Sequence, residues 1–329
     1  MPNRRSEKVP GRGFQRTGGS EGGGQLLQEL SDLPWELPYT FLGLDEERSA
    51  IDSANAVILP VPYEATTSYG AGAAAGPRGI IESSRYMELY DQELHSDPSS
   101  LGIHTLPGLE LTRDSTKAAM DELHLAYGRI LKTIGERFLL MLGGEHSVSG
   151  PAILNQVNRH GRLSILQLDA HLDLRSEFDG SEYSHACVMS RVRESVDIVA
   201  VGIRGAAEDE VALVETDDDI TVIWADNMWE DDKWMGRVMD ALGDPVYITV
   251  DVDYFDPSLM PSTGTPEPGG GDWYRTLRLL RSVFKERNVV GCDVVELAPS
   301  QGGHAADFLA AKLVYKLIGY HLESKGSLV

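Results

Sequence analysis

The sequence predicts a single α/β/α domain built on a mostly parallel sheet, and three observations carry that prediction. Short aliphatic runs recur at residues 56–60, 138–142, 163–168, 198–202, 220–224, 246–250 and 289–295. They are apolar at successive positions, which suits strands covered by helices on both faces. Stretches with helical periodicity separate them, giving the alternation of a layered α/β fold. Ligand-type polar residues follow directly after several of the runs, where parallel sheets place their binding sites.

Taken in order, residues 1–25 are rich in Gly, Arg and Ser and poor in apolar residues. That composition predicts a disordered tail ahead of a globular domain at 26–329. After the first strand, residues 115–137 place apolar side chains at helical spacing and lead into FLLML at 138–142. The next helix, 150–160, opens with Gly150-Pro151, and proline is well accommodated in a first helical turn. LSILQL at 163–168 and VYITV at 246–250 read as central strands, with 198–202 and 220–224 between them. Helices at 273–287 and 305–320 flank the last strand, 289–295.

Composition narrows the function. A formal net charge of -22 argues against nucleic-acid binding, which needs a basic surface, and favours cationic ligands. The excess of acids, with 21 arginines to 8 lysines, also suits a high-salt interior. No run is long and apolar enough for a membrane helix, and the basic, polar start lacks a secretory h-region. Cys187 and Cys292 are the only cysteines, which fits a reduced, cytoplasmic setting without a disulfide framework.

Three strand ends carry the chemistry. GGEHS at 143–147 uses two glycines to turn the chain and present His146. DAHLD at 169–173 spaces Asp169, His171 and Asp173 two apart, so an extended backbone aims all three the same way. DVD at 251–253 does the same with Asp251 and Asp253. Acids gathered at the end of a buried strand repel one another unless a cation neutralises them. Two histidines and four aspartates exceed what one structural zinc takes and suit two ions sharing carboxylates. So oxygen-rich a set favours Mn²⁺ over Zn²⁺, with Ni²⁺, Co²⁺ or Fe²⁺ as alternatives.

These segments resemble the signatures of the ureohydrolase (arginase–agmatinase) family, in the same order and spacing. The resemblance rests on GGEHS, DAHLD, DVDYFDPSLMPSTGTPEPGG at 251–270 and DVVELAPSQGG at 293–303. It reaches back to VPYEATTSYGAG at 61–72, GPRGI at 76–80 and ELYDQEL at 88–94. It implies a central sheet of eight strands, assembly as a homotrimer or homohexamer, and two Mn²⁺ per subunit. By the family pattern His146, Asp169, Asp173 and Asp251 hold one ion, and His171, Asp169, Asp251 and Asp253 the other. The chain departs from the pattern at Ala73, Ala74 and Ala75, where relatives carry Arg, and at Glu145, where many carry Asp.

The resemblance implies hydrolysis of a guanidino compound to urea and an amine, since paired metals bring a shared water towards neutral pKa. It gives Glu296 the guanidinium, Asp173 a proton relay to the departing amine, and His185 a proton shuttle and substrate contact. Where arginases place Asn two residues beyond DAHxD, this chain has Arg175, which disfavours arginine and makes agmatine the first expectation. Glu177, Asp179 and Glu182 are candidates for the ammonium end of agmatine. Arg175 points to the alternative, a carboxylate-bearing substrate such as guanidinobutyrate. A third reading is a metal-binding member without catalysis. The single-zinc deacetylases, which share the fold, use another ligand set, and the chain has no P-loop for a phosphate chemistry.

Overall fold

The computed structural model describes residues 36–231, 233–300 and 302–328, and among them eight strands form one sheet: β1 (Ala56–Val61), β2 (Ile103–Thr105), β3 (Phe138–Gly143), β4 (Leu163–Leu168), β5 (Val196–Ile203), β6 (Ile220–Trp224), β7 (Val246–Asp251) and β8 (Val289–Val295). All run parallel, in the order β2-β1-β3-β8-β7-β4-β5-β6. The runs read from sequence match seven of these to within two residues at each end. The eighth, β2, is a three-residue edge strand, too short to show a period of its own. The predicted tail at 1–25 lies outside the described residues.

The sheet is covered on both sides because successive strand residues face opposite ways. On one face Ile58, Leu140, Leu166 and Ile248 pack under α1 (Gly76–Ser84), α4 (Trp273–Glu286) and α5 (His304–Ser324). On the other, Val57, Leu139, Met141 and Ile165 pack under α2 (Thr116–Ile134) and α3 (Ser149–His160). Helix α2 starts one residue later than predicted because Ser115 caps it, accepting from the Ala118 N–H. It ends at Ile134, before Gly135 turns into a positive φ of 68°.

Helix α5 runs longer than expected, and is buried on nearly every face. Its Lys316 ammonium is buried too, satisfied by Asp91 at 2.8 Å and Glu93 at 2.7 Å from the ELYDQEL segment. Cys187 and Cys292 are both free and buried. Among the described residues, no helix is long and apolar enough to cross a membrane.

Candidate metal centre and active-site cavity

Four neighbours at the middle of the sheet, β3, β8, β7 and β4, end at one place. Their carboxyl ends bring together His146, Glu296, Asp251 with Asp253, and Asp169 with His171 and Asp173, and of these His171, Asp173, Asp251, Asp253 and Glu296 line a cavity of about 270 Å³. His146 and Asp169 are completely buried beside them.

The convergence predicted from alternation is present, but its cause is different. Asp173 is not in extended backbone: its φ is +54°, a strained left-handed conformation for a non-glycine residue. Asp251 closes β7, and Asp253 belongs to a 3₁₀ turn at Val252–Tyr254 that the Asp251 carboxylate caps through the Asp253 N–H. Glu296 is also left-handed, at φ +64°. Strained backbone therefore sits at two of the groups that face the cavity.

Two glycines make room. A Cβ on Gly144 would lie 1.9 Å from the Tyr63 carbonyl oxygen, so only glycine lets the chain turn towards His146 here. A Cβ on Gly205 would lie 2.6 Å from the His171 ring, which stands against the β5 end.

The donor atoms fall into two groups. His146, Asp169 and Asp251 form one, and Asp169, His171 and Asp253 the other, each with ligand atoms within 4.8 Å of one another. Asp169 belongs to both, as a bridging carboxylate would. Three carboxylate oxygens surround His146 Nδ1: Asp173 at 2.9 Å, Asp169 at 3.1 Å and Asp251 at 3.4 Å. None stands in line with an N–H, so this buried nitrogen makes no hydrogen bond. A buried imidazole nitrogen ringed by carboxylates, with no aligned hydrogen bond, suits a cation. Among the described residues, then, the donor set suits two divalent ions.

Metal-free electrostatics agree. Burial and the charges of Asp173 and Asp253 push the Asp169 carboxyl up to about 6. Burial, with Asp253, Asp169 and Glu296 close by, also raises Asp251 well above the usual carboxylate range. Burial alone would depress His171, but the Asp253 carboxylate 2.9 Å away lifts it to about 10. His146 is likewise held well above its ordinary value, burial being overcome by Asp169 and Asp173. Protons are drawn into the cluster to do what positive ions would do.

Surrounding groups fix the ligands. His146 Nε2 meets Thr249 Oγ1 at 2.9 Å. That hydroxyl donates to Asp293 Oδ1 at 2.6 Å, and Tyr247 donates to Asp293 Oδ2 at 2.7 Å. Gln167 donates to Asp169 at 2.9 Å, and the Ala170 N–H to Asp253 at 2.9 Å. Glu296 accepts the His146 N–H at 2.6 Å through Oε1. Burial raises the Glu296 carboxyl well above its ordinary value. Arg204 spends its guanidinium on main-chain carbonyls. One nitrogen donates to Asp253 O and Glu267 O, both at 2.7 Å, and others reach Gly202 O and Tyr254 O.

The cavity wall corrects one expectation. Glu177, Asp179 and Glu182 do not line it: a tight turn pairing Phe178 with Ser181 leaves them exposed, and Glu182 lies 3.7 Å from Arg191. The acids that do line it beyond the ligands and Glu296 are Glu210 and Glu267. Glu210 is committed to the fold, accepting from Leu174 N at 2.9 Å and Ala207 N at 2.8 Å. Glu267 is half-buried, and among the described residues its side chain makes no hydrogen bond or ion pair. Arg175 lines the cavity with its guanidinium 5.0 Å over the Phe178 ring and 3.8 Å from Glu210, the ion pair that competes with a substrate carboxylate. His185 lines it as well, its Nδ1 3.1 Å from Thr66 Oγ1. Only tertiary packing brings Glu267, Arg204, Thr249 and Thr66 to the site. Asp293 left a signal in the sequence as a lone acid inside an otherwise apolar strand, and Thr66 and Glu267 lay within the quoted segments at 61–72 and 251–270 without a role of their own.

Comparison with known proteins follows the same lines. A family model described as the arginase family matches residues 54–319. The N(1)-aminopropylagmatine ureohydrolase of Synechocystis is 37% identical over 294 residues, covering 88% of this chain and 95% of that protein. The agmatinase of Pyrococcus horikoshii is 33% identical over 290 residues, covering 86% and 98%. Among solved structures, the proclavaminate amidino hydrolase of Streptomyces clavuligerus superposes with a TM-score of 0.78 at 29% identity, covering 88% of this chain and 98% of that one. The agmatine ureohydrolase of Thermoplasma volcanium gives 0.77 at 25%, covering 93% and 100%.

Proposed function

The chain belongs to the arginase family, and from that premise we propose that it hydrolyses an amine-tailed guanidine, agmatine or its aminopropyl derivative, to urea and a diamine or triamine. The observation that carries the reading is the pair of donor groups sharing Asp169 around a His146 nitrogen that makes no hydrogen bond. In this reading His146, Asp169, Asp173 and Asp251 hold one Mn²⁺, and His171, Asp169, Asp251 and Asp253 the other. When bound, the ions supply Lewis acidity and an activated water.

The chain's own residues do the rest. Four aspartates offset the charge of two divalent ions, so further negative charge in the cavity draws a guanidinium in. One oxygen of Glu296 is held by the His146 N–H, which leaves the other for the guanidinium nitrogens. Fixing the guanidinium there converts an encounter into a positioned attack on its carbon. Asp173 and His185 handle the proton that the departing amine needs. Glu267, whose carboxylate makes no hydrogen bond or ion pair among the described residues, takes the ammonium at the far end.

The amine tail is preferred over a carboxylate tail because Arg175 is already engaged by Phe178 and Glu210, whereas Glu267 makes no ion pair among the described residues. The product amine would enter polyamine biosynthesis, in the cytoplasm, from a homotrimer or homohexamer. The test is urea release from agmatine, N(1)-aminopropylagmatine, arginine, guanidinobutyrate, guanidinopropionate and guanidine, with Mn²⁺ and then Ni²⁺. Amine-tailed substrates should lead. A lead for guanidinobutyrate would favour the carboxylate reading, and no urea from any compound would leave a metal-binding protein without this catalysis. Light scattering tests the assembly.

A further inference from the structure

We infer that Glu145 and Thr66 set the tautomer of His185, placing its proton on Nδ1 and leaving Nε2 as the basic nitrogen on the cavity side. The argument is a count of hydrogens. The Glu145 carboxylate is completely buried and can only accept. Its Oε2 takes the N–H groups of Ala65 and Thr66, both at 2.7 Å, and its Oε1 takes the Ser147 hydroxyl at 2.6 Å. Oε1 also stands 3.1 Å from Thr66 Oγ1. Two oxygens at that distance attract only with a proton between them, and a carboxylate has none to give, so the single Thr66 hydroxyl proton points to Glu145.

Thr66 Oγ1 can then only accept from its remaining neighbours. Those are the His185 main-chain N–H at 3.0 Å and His185 Nδ1 at 3.1 Å. An imidazole nitrogen that meets an acceptor must carry the hydrogen. One donated and two accepted bonds exhaust the hydroxyl. The ring is further held edge-on to Phe178, with centroids 5.8 Å apart. Ser184 Oγ is a competing partner, at 3.3 Å from Nδ1, and by donating would impose the opposite tautomer. It is the longer contact, comes from the adjacent residue, and has no carboxylate behind it.

The consequence is chemical. With Nδ1 committed to the wall, Nε2 accepts a proton from solvent and can pass it to a leaving nitrogen without the ring turning over. Glu145 and Thr66 are positioning residues, acting through His185 and not on substrate. This use of Nε2 rests on the guanidine-hydrolase reading above, but the tautomer does not.

The experiment is long-range ¹H–¹⁵N spectroscopy of the full chain labelled with ¹⁵N-histidine. The His185 signals, among nine histidines, are identified by their loss in His185→Gln. The neutral ring should show Nδ1–H. Thr66→Val should move it towards Nε2–H and lower kcat about tenfold or more, and Thr66→Ser should restore both. Glu145→Gln provides a second route: its amide N–H would bond Thr66, freeing the hydroxyl proton to face Nδ1 and reversing the tautomer. An Nε2–H wild type overturns the inference. So does a tautomer indifferent to both variants, or one reversed by Ser184→Ala. Because the spectra need no substrate, a protein inactive on every guanidine would sink the functional reading and leave this one to be judged separately.

Discussion

Replacing Thr249 by Val should weaken metal binding without touching a ligand. Thr249 is completely buried, bonded on one side to His146 Nε2 at 2.9 Å and on the other to Asp293 at 2.6 Å. Valine has the same shape and no hydroxyl. His146 Nε2 and one Asp293 oxygen would each lose a buried partner, at about 1–3 kcal/mol per group left unsatisfied. The imidazole would also lose what keeps its hydrogen on Nε2 and its Nδ1 lone pair towards the cation. Loss of such outer partners typically lowers metal affinity by about 10–100-fold, or roughly 1.4–2.7 kcal/mol. Calorimetric titration of Mn²⁺ into chelator-stripped protein measures this directly. Thermal unfolding of the stripped variant separates it from loss of fold. Thr249→Ser should bind nearly as the parent does. A folded Thr249→Val that takes up both ions with unchanged affinity would refute the chain of reasoning from Asp293 to His146.

Other expectations follow from the same geometry. Glu267→Gln should raise KM for agmatine about tenfold with kcat nearly unchanged, and leave guanidine, which has no tail, unaffected in steady-state urea release. Gly144→Ala should cost on the order of 3 kcal/mol or prevent folding, because its Cβ would fall 1.9 Å from the Tyr63 oxygen, and denaturant unfolding would read the loss. His321, stacked on Phe138 at 4.0 Å, is pushed down to about 4 by burial and Lys325. The unfolded chain therefore binds a proton that the folded one refuses between about pH 6.5 and 4, and stability falls as pH falls through that window. His321→Met should remove on the order of 2–3 kcal/mol of that decline, seen as a difference in unfolding free energy between pH 7 and pH 4. Parallel pH curves for the two proteins would contradict it.

The central sheet was legible because its strands are apolar on both faces, as in LSILQL of β4. Short elements at the margins were not. β2 offers three residues, and the helix Glu208–Val214 is acidic through its first turn. The clustering of these side chains was legible by spacing, although alternation was the wrong reason for Asp173 and Asp253. A left-handed residue and a 3₁₀ turn bring them to the same place. The substrate end was misread at Glu177, Asp179 and Glu182 because residue type marks an acid but not the direction of its loop. Glu267 lies about a hundred residues from DAHLD, and Arg204, just past β5, ties the two, its N–H donating to Ala170 O and its guanidinium to Glu267 O.

That joint bears on how the protein can change. Arg204 grips carbonyls alone, and every amino acid has a carbonyl at the same position on the backbone. The side chains around Glu267 are therefore free to drift from one lineage to the next while the loop keeps its distance from Asp253. A lineage can acquire a new leaving amine by rewriting that wall, with the hydrolytic machinery carried along unaltered.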